Sequence, residues 1–367
     1  MLGAIIGDIA GSAWEFNPTN YYHFPMFTEK NSYTDDTICT VAIADALLHG
    51  SEDYGSYLRM WCSKYPHPKG GYGGNFRRWL FTNPSPYNSF GNGSAMRVSP
   101  VNWVYTDMAD VLYQARKTAE CTHNHPEGIK GAQAVAFAMQ AVSEGVDFSR
   151  RKFTFQSRIE GAVEMFHYDR QFKKSLSQTR NIFDETCQGT VPVALRIIYE
   201  SDSFEDAIRK AVTHGADADT LAAIVGSIAE RIWGIPEWMK MKAMRYLPVE
   251  MKIVISRFRD YVQKIRKLSA QCRYFKYGET FDNAVMKLPY DIEKRWVFDL
   301  ARSYKNADDA KYNLRHLNNF ENWQAIADQY HVPLSFLWYV IDTVAPDKIT
   351  TCVCKSRLVA FLDKYYI

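Results

Sequence analysis

Apolar residues fall along this chain in blocks, and the blocks follow a helical repeat. The segments ICTVAIADALL over 38–48, GAQAVAFAMQAV over 131–142 and LAAIVGSIAERIW over 221–233 are apolar on nearly every side. A helix of that kind leaves no face for water and belongs inside a bundle. Its Ala, Gly and Ser residues let neighbouring helices approach closely. Two further helices are predicted over 191–199 and 204–212, with Ser203 as N-cap of the second. Alternating strand patterns are sparse. The pattern predicts an all-α helical bundle with long functional loops between its helices. Gly3, Gly7 and Gly11 fall four apart and would form one flat helix face. With no strand before them they do not make the dinucleotide-binding G-x-G-x-x-G arrangement.

Near residue 270 the composition changes. Alanine-rich blocks give way to Tyr, Phe, Lys and Asn, and 291–367 reads as several amphipathic helices. The expected division is a catalytic domain over 1–270 and a helical C-terminal extension over 271–367. The 367 residues are 47% hydrophobic, enough for a sizeable core and too many for a disordered chain. A net charge of +3 gives no general attraction to nucleic acid or acidic lipid. The 7 cysteines form no C-x-x-C pair, which points to a reducing, cytoplasmic setting and away from a disulfide scaffold or a zinc site. Asp8 interrupts the apolar N-terminus and argues against a signal peptide. No run of about 18 apolar residues suggests a membrane span.

Two short segments concentrate oxygen ligands. Thr34-Asp35-Asp36-Thr37 precedes the apolar block from Ile38, and Asp217-Ala218-Asp219-Thr220 precedes the one from Leu221. Helix capping explains one such side chain in each, because Asp and Thr satisfy free N–H groups there. It does not explain three. The helices that follow are too apolar for the surface, so the carboxylates are carried inwards and need a counter-charge. Neither segment has a Lys or Arg beside it in sequence. Hard divalent cations answer that need: Mg²⁺, Mn²⁺ or Ca²⁺. Four aspartates balance two ions. Asp217 and Asp219 diverge on a regular helix, so their turn must be irregular, and Gly215 can permit that.

With these segments in hand, the chain resembles the ADP-ribosylglycohydrolase family, the group that includes the enzyme removing ADP-ribose from dinitrogenase reductase. Five motifs occur in order. They are G-D-x-x-G-x-x-x-E (Gly7, Asp8, Gly11, Glu15), T-D-D-T (34–37), G-N-G-S-A-M-R (91–97), T-H (Thr122, His123) and D-x-D-T (Asp217, Asp219, Thr220). The last motif departs from the family by carrying Ala216-Asp217-Ala218 where Gly-Asp is usual. The resemblance implies an all-α fold and a binuclear Mg²⁺ centre. Thr34, Asp35 and Asp36 would bind metal from one side, and Asp217, Asp219 and Thr220 from the other. Glu15 would lie near the metals as ligand or acid/base group, and either Glu15 or Asp36 would take the proton of the attacking water. The loop of Ser89, Phe90, Gly91, Asn92 and Gly93 would receive the diphosphate, with an aromatic near the adenine. His123 would contact substrate, while His125 orients the turn. The substrate would be an ADP-ribosylated protein or a small ADP-ribosyl compound, and the reaction removal of the ADP-ribose.

Two other readings stand beside this one. The same fold could serve as a catalytically weak ADP-ribose-binding module, against which the intact acidic motifs argue. The chain could also be a regulator binding nucleic acid through its tail, since 325–335 resembles the start of a helix-turn-helix. The following Phe336-Leu337-Trp338-Tyr339-Val340-Ile341 lacks the polar side chains that read bases, which disfavours that reading.

Overall fold

A computed structural model describes residues 1–143 and 154–274, with side chains as far as residue 265. The candidate helix-turn-helix at 325–335 and nearly all of the 271–367 extension lie outside the described residues. The helices α1 (Leu2–Gly11), α2 (Asp35–Leu48), α3 (Tyr54–Lys64) and α4 (Gly74–Phe81) come first. Two single turns, α5 (Gly93–Met96) and α6 (Val101–Val104), lead to α7 (Met108–Glu120) and α8 (Pro126–Ser143). Then follow α9 (Phe155–Met165), α10 (Asp169–Phe172), α11 (Leu176–Thr179), α12 (Cys187–Tyr199), α13 (Phe204–His214), α14 (Ala218–Trp233), α15 (Glu237–Ala243) and α16 (Val249–Tyr274). No sheet forms among the described residues. The candidate site residues all lie in the compact unit made of Met1–Trp103 and Val111–Phe258.

The centre of that unit is α14. Every residue from Ala218 to Ala229 is buried, as an all-round apolar helix requires. It packs against α1, α2, α5, α8, α12 and α13. Its contact with α1 is the closest of these, and the predicted glycine face makes it possible. A Cβ on Gly3 would stand 2.2 Å from the Gly226 carbonyl oxygen, one on Gly7 2.0 Å from that of Ala222, and one on Gly11 2.4 Å from the Asp219 Cα. Glu230 of α14 reaches the start of α1, where the Gly3 amide donates to its carboxylate at 2.9 Å. That bond fixes the register of the two helices. Ile5, Ile6 and Ile9 of α1 are fully buried, each worth about 1.5–3 kcal/mol relative to exposure.

Caps define the ends that matter. Thr34 caps α2, its Oγ1 accepting from the Asp36 amide at 3.2 Å. Ser203 caps α13 as the sequence predicts, accepting from the Asp206 amide at 3.1 Å. The α13–α14 turn is irregular, also as predicted: Gly215 has φ +82° and Ala216 φ +61°. The left-handed value is natural for glycine and strained for alanine.

Candidate active site

The two acidic segments meet. Asp35 and Asp36 form the first turn of α2, three residues earlier than the apolar pattern alone suggests. Asp219 and Thr220 open α14, and Thr220 Oγ1 donates to Asp36 Oδ2 at 3.1 Å. Residues 184 apart in sequence therefore share one buried centre. Asp217 stands at the N-cap position of α14 but caps nothing with its side chain. Instead its Oδ2 accepts from Asn92 Nδ2 at 2.6 Å. Glu15, in the segment after α1, joins the same centre: one carboxylate oxygen each from Glu15, Asp217 and Asp219 lie within 4.8 Å of one another.

Asp8 is a sixth carboxylate, which in the sequence stands out only as a break in the apolar N-terminus and as part of a motif. It sits in α1, fully buried, facing the start of α2. Its Oδ2 accepts from the Thr34 and Thr37 amides at 3.0 and 3.1 Å and from the Thr37 hydroxyl. Its Oδ1 accepts from the Thr34 hydroxyl at 2.8 Å. An Asp inside an otherwise apolar helix is the signal that could have singled it out.

The electrostatics are those of negative charges crowded out of water. Burial raises every one of these carboxyl pKa values. Asp8 rises to about 6 and Glu15 to about 7, the latter by burial and then the charge of Asp217. Asp35 rises to about 8 through burial and the charge of Asp8. Asp36 and Asp219 stand well above the ordinary range, through burial and then the charges of Asp219 and Asp217 respectively. Asp217 is also raised, its bond from Asn92 opposing the effect of burial. Among the described residues none of the six forms a salt bridge. Burial lowers the pKa of Lys69, unforeseen from the sequence, and the charges of Asp219, Glu15 and Asp8 oppose that shift. Its ammonium group donates to the Lys30 carbonyl, not to the cluster. Asp36 Oδ1, Asp219 Oδ1 and Glu15 Oε2 are buried with no hydrogen-bond partner. Oxygen-only donors with unmet acceptor capacity fit a hard divalent cation.

The glycine loop closes over the same region. Ser89 Oγ accepts from the Gly91 amide at 3.2 Å, and Gly91 forms an isolated antiparallel bridge with Thr186. The Asn92 amide donates to the Glu185 carbonyl at 2.7 Å, and the Cys187 amide to that of Phe90 at 2.9 Å. Three loop amides, those of Ser89, Gly91 and Asn92, are thus already used within the protein. Fewer loop amides are therefore left to receive a diphosphate. Asn92 Nδ2 bonds both Asp217 and Thr190 Oγ1, the latter at 3.1 Å, so the loop and the acidic centre share a side chain. Phe90 is exposed, its ring 5.3 Å from that of His125. His125 does orient the turn: its Nδ1 accepts from the Glu127 amide at 3.1 Å. His123 is buried beneath Gly91 and Gly93. Glu185 also belongs to this region and was not anticipated; burial and the Asp217 charge raise its pKa.

Comparison with known proteins finds relatives of one family. The family model described as ADP-ribosylglycohydrolase matches residues 1–271. An ADP-ribosylarginine hydrolase, Tri1 of Pseudomonas putida (strain GB-1), is 24% identical over 272 residues, covering 66% of this chain and 73% of that protein. ADP-ribosylhydrolase ARH3 of Mus musculus is 25% identical over 311 residues, covering 65% of this chain and 83% of its own. Among solved structures, an ADP-ribosylglycohydrolase-related protein complex superposes with a TM-score of 0.54 at 23% identity. The match covers 70% of this chain and 94% of that one.

Proposed function

The chain belongs to the ADP-ribosylglycohydrolase family, and from that premise we propose that it hydrolyses the glycosidic bond between ADP-ribose and a modified protein side chain, with two Mg²⁺ ions as cofactor. The observation that carries the reading is the single centre of six carboxylates, of which Asp8, Asp36 and Asp219 are buried and three have an unpartnered oxygen. Thr34, Asp35 and Asp36 would hold the ions from one side and Asp217, Asp219 and Thr220 from the other. Mn²⁺ has the same preference for oxygen and can replace Mg²⁺. Such ions supply charge neutralisation and Lewis acidity.

The chain's own residues divide the rest of the work. As the bond to the leaving side chain breaks, positive charge develops at the anomeric carbon. Glu15 takes a proton from the attacking water and returns it to the leaving atom. Asp36 is the other candidate base, but it is 3% exposed and already accepts from Thr220. Ser89, Phe90, Gly91, Asn92, Gly93 and His123 receive the diphosphate and adenine. Residues 1–270 form the catalytic domain and 271–367 an extension that selects among protein substrates.

We place the activity in the cytoplasm. The 7 scattered cysteines, with no C-x-x-C pair, support this. No helix among the described residues is long and apolar enough to cross a membrane. Turnover of a panel of Arg-, Ser- and otherwise linked ADP-ribosyl substrates, with Mg²⁺ and after chelation, tests the proposal. Chelation, Asp35→Asn and Asp219→Asn should each cut turnover by orders of magnitude. Glu15→Gln should lower kcat more than it changes KM. Binding of ADP-ribose with no turnover of any linkage would favour the binding-module reading.

A further inference from the structure

Arg97 is 1% exposed, and among the described residues it has no carboxylate partner. A guanidinium in that position is costly unless its donors are used. Here Nη2 is 2.9 Å from the Thr118 carbonyl oxygen, 2.7 Å from Thr122 Oγ1 and 3.8 Å from Cys121 Sγ, while Nε is buried without a partner. Thr122 Oγ1 in turn lies 2.7 Å from His123 Nδ1. Arginine can only donate, so the Thr122 oxygen accepts from it. The hydroxyl has one proton to give, and at 2.7 Å Nδ1 is a better acceptor for it than the thiol sulfur of Cys121. A ring that accepts at Nδ1 carries its proton on Nε2. That nitrogen faces the glycine loop: a Cβ on Gly93 would stand 3.1 Å from it, and one on Gly91 3.6 Å. Among the described residues Nε2 has no hydrogen-bond partner.

We propose that Arg97 is a positioning residue which, through Thr122, fixes His123 with Nδ1 as acceptor and Nε2–H as a donor aimed at the diphosphate in the Gly91–Gly93 loop. The diphosphate part of this inference rests on the functional reading of that loop given above; the proton order does not. Burial and the Arg97 charge both push the His123 pKa well below the ordinary histidine value. The ring therefore stays neutral, and no second proton arrives to turn Nδ1 into a donor against the Thr122 hydroxyl. A neutral donor of fixed direction holds a phosphate oxygen equally well on either side of neutrality, which a titrating imidazole cannot do. The same relay explains why a charged side chain is buried 24–25 residues from the turn it serves.

The test is two-bond ¹H–¹⁵N correlation of His123 in the full chain without ligand, followed by ADP-ribose binding. The wild-type ring should show the Nε2–H pattern, unchanged from about pH 5.5 to about 8. Thr122→Val removes the relay and should give mixed tautomers, with ADP-ribose affinity lower by about tenfold, the worth of one well-placed hydrogen bond to a charged group. Thr122→Ser keeps the hydroxyl and should restore both. Arg97→Lys, which keeps the charge and loses the planar fork, should disturb the tautomer in the same sense as Thr122→Val. An Nδ1–H pattern or an imidazolium in the wild type overturns the proposal, as does a wild-type pattern in Thr122→Val. These spectra need no turnover. A chain with the expected tautomer that neither binds ADP-ribose nor hydrolyses its conjugates would refute the functional reading while leaving the relay intact.

Discussion

Removing divalent cations should make this protein lose stability as pH rises from acid to neutral. Asp8 supplies the magnitude because it is fully buried. Its four hydrogen bonds from Thr34 and Thr37 favour the carboxylate, yet burial outweighs them and lifts its pKa from 3.8 to about 6. In the unfolded chain it titrates near its ordinary value. Between those values the folded state holds a proton that the unfolded state has released, so stability declines with pH. The difference corresponds to about 3 kcal/mol, absent below about pH 4 and complete above about pH 6. Asp35, raised to about 8, carries the decline further in the same direction. For a unit of this size, about 3 kcal/mol is about 6–12 °C in Tm.

Calorimetry of the full chain in EDTA, from pH 5 to 8, measures this directly. The chelated protein should melt several degrees lower at pH 8 than at pH 5. Added Mg²⁺ or Mn²⁺ should abolish the difference, because ions bind the ionised carboxylates of the folded state and contribute about 2.7 kcal/mol at a hundredfold excess over Kd. A chelated protein as stable at pH 8 as at pH 5 would refute the charge-crowding argument. Identical curves with and without ions would refute the cation.

Three further outcomes follow from particular contacts. Gly7→Ala puts a Cβ 2.0 Å from the Ala222 carbonyl oxygen, where ordinary contact begins at 3.4 Å. The overpacking cost of about 1–3 kcal/mol should exceed the gain of about 1 kcal/mol in helix propensity, so Tm should fall, and Mn²⁺ affinity with it as Asp8 shifts; an unchanged melt would contradict the close α1–α14 approach. Asn92→Ala should weaken Mn²⁺ binding by about 10–100-fold in isothermal titration, since Asn92 orients Asp217. Ala216→Gly, at φ +61°, should stabilise the chain to urea by up to about 1 kcal/mol; a loss of stability would show that the turn is not strained.

The bundle was legible because its central helices are so apolar that only burial suits them. The glycines of α1 and the cap at Ser203 followed from elementary sterics and hydrogen bonding. The meeting of T-D-D-T with D-x-D-T was legible for a different reason: charges that enter a core need a partner, and sequence offered none. What stayed hidden depends on tertiary placement. Lys69 lies in the loop whose Gly70 backs against Glu15, and nothing around it in the sequence is acidic. Asn92 reads as a turn residue until it is seen 125 residues away from its partner Asp217. The loop amides look free in sequence because their acceptors, the carbonyls of Thr122 and Glu185 among them, come from distant segments.

Asn92 also decides how the two halves of the site communicate. Its backbone holds the glycine loop to Glu185, and its side chain holds Asp217. A ligand that settles the loop therefore settles one wall of the acidic centre. Cations that draw Asp217 inwards pull on the loop through the same amide. Binding free energies are reciprocal, so whatever factor ADP-ribose applies to ion affinity, the ions apply to the affinity for ADP-ribose. The rest of the centre cannot absorb that pull. Asp36 and Asp219 belong to helices in a dry core, and Asp8 is carried by α1, which glycine contacts lock against α14. Compliance is left to the strained turn at Gly215 and Ala216, to the segment that carries Glu15 and to the loop itself.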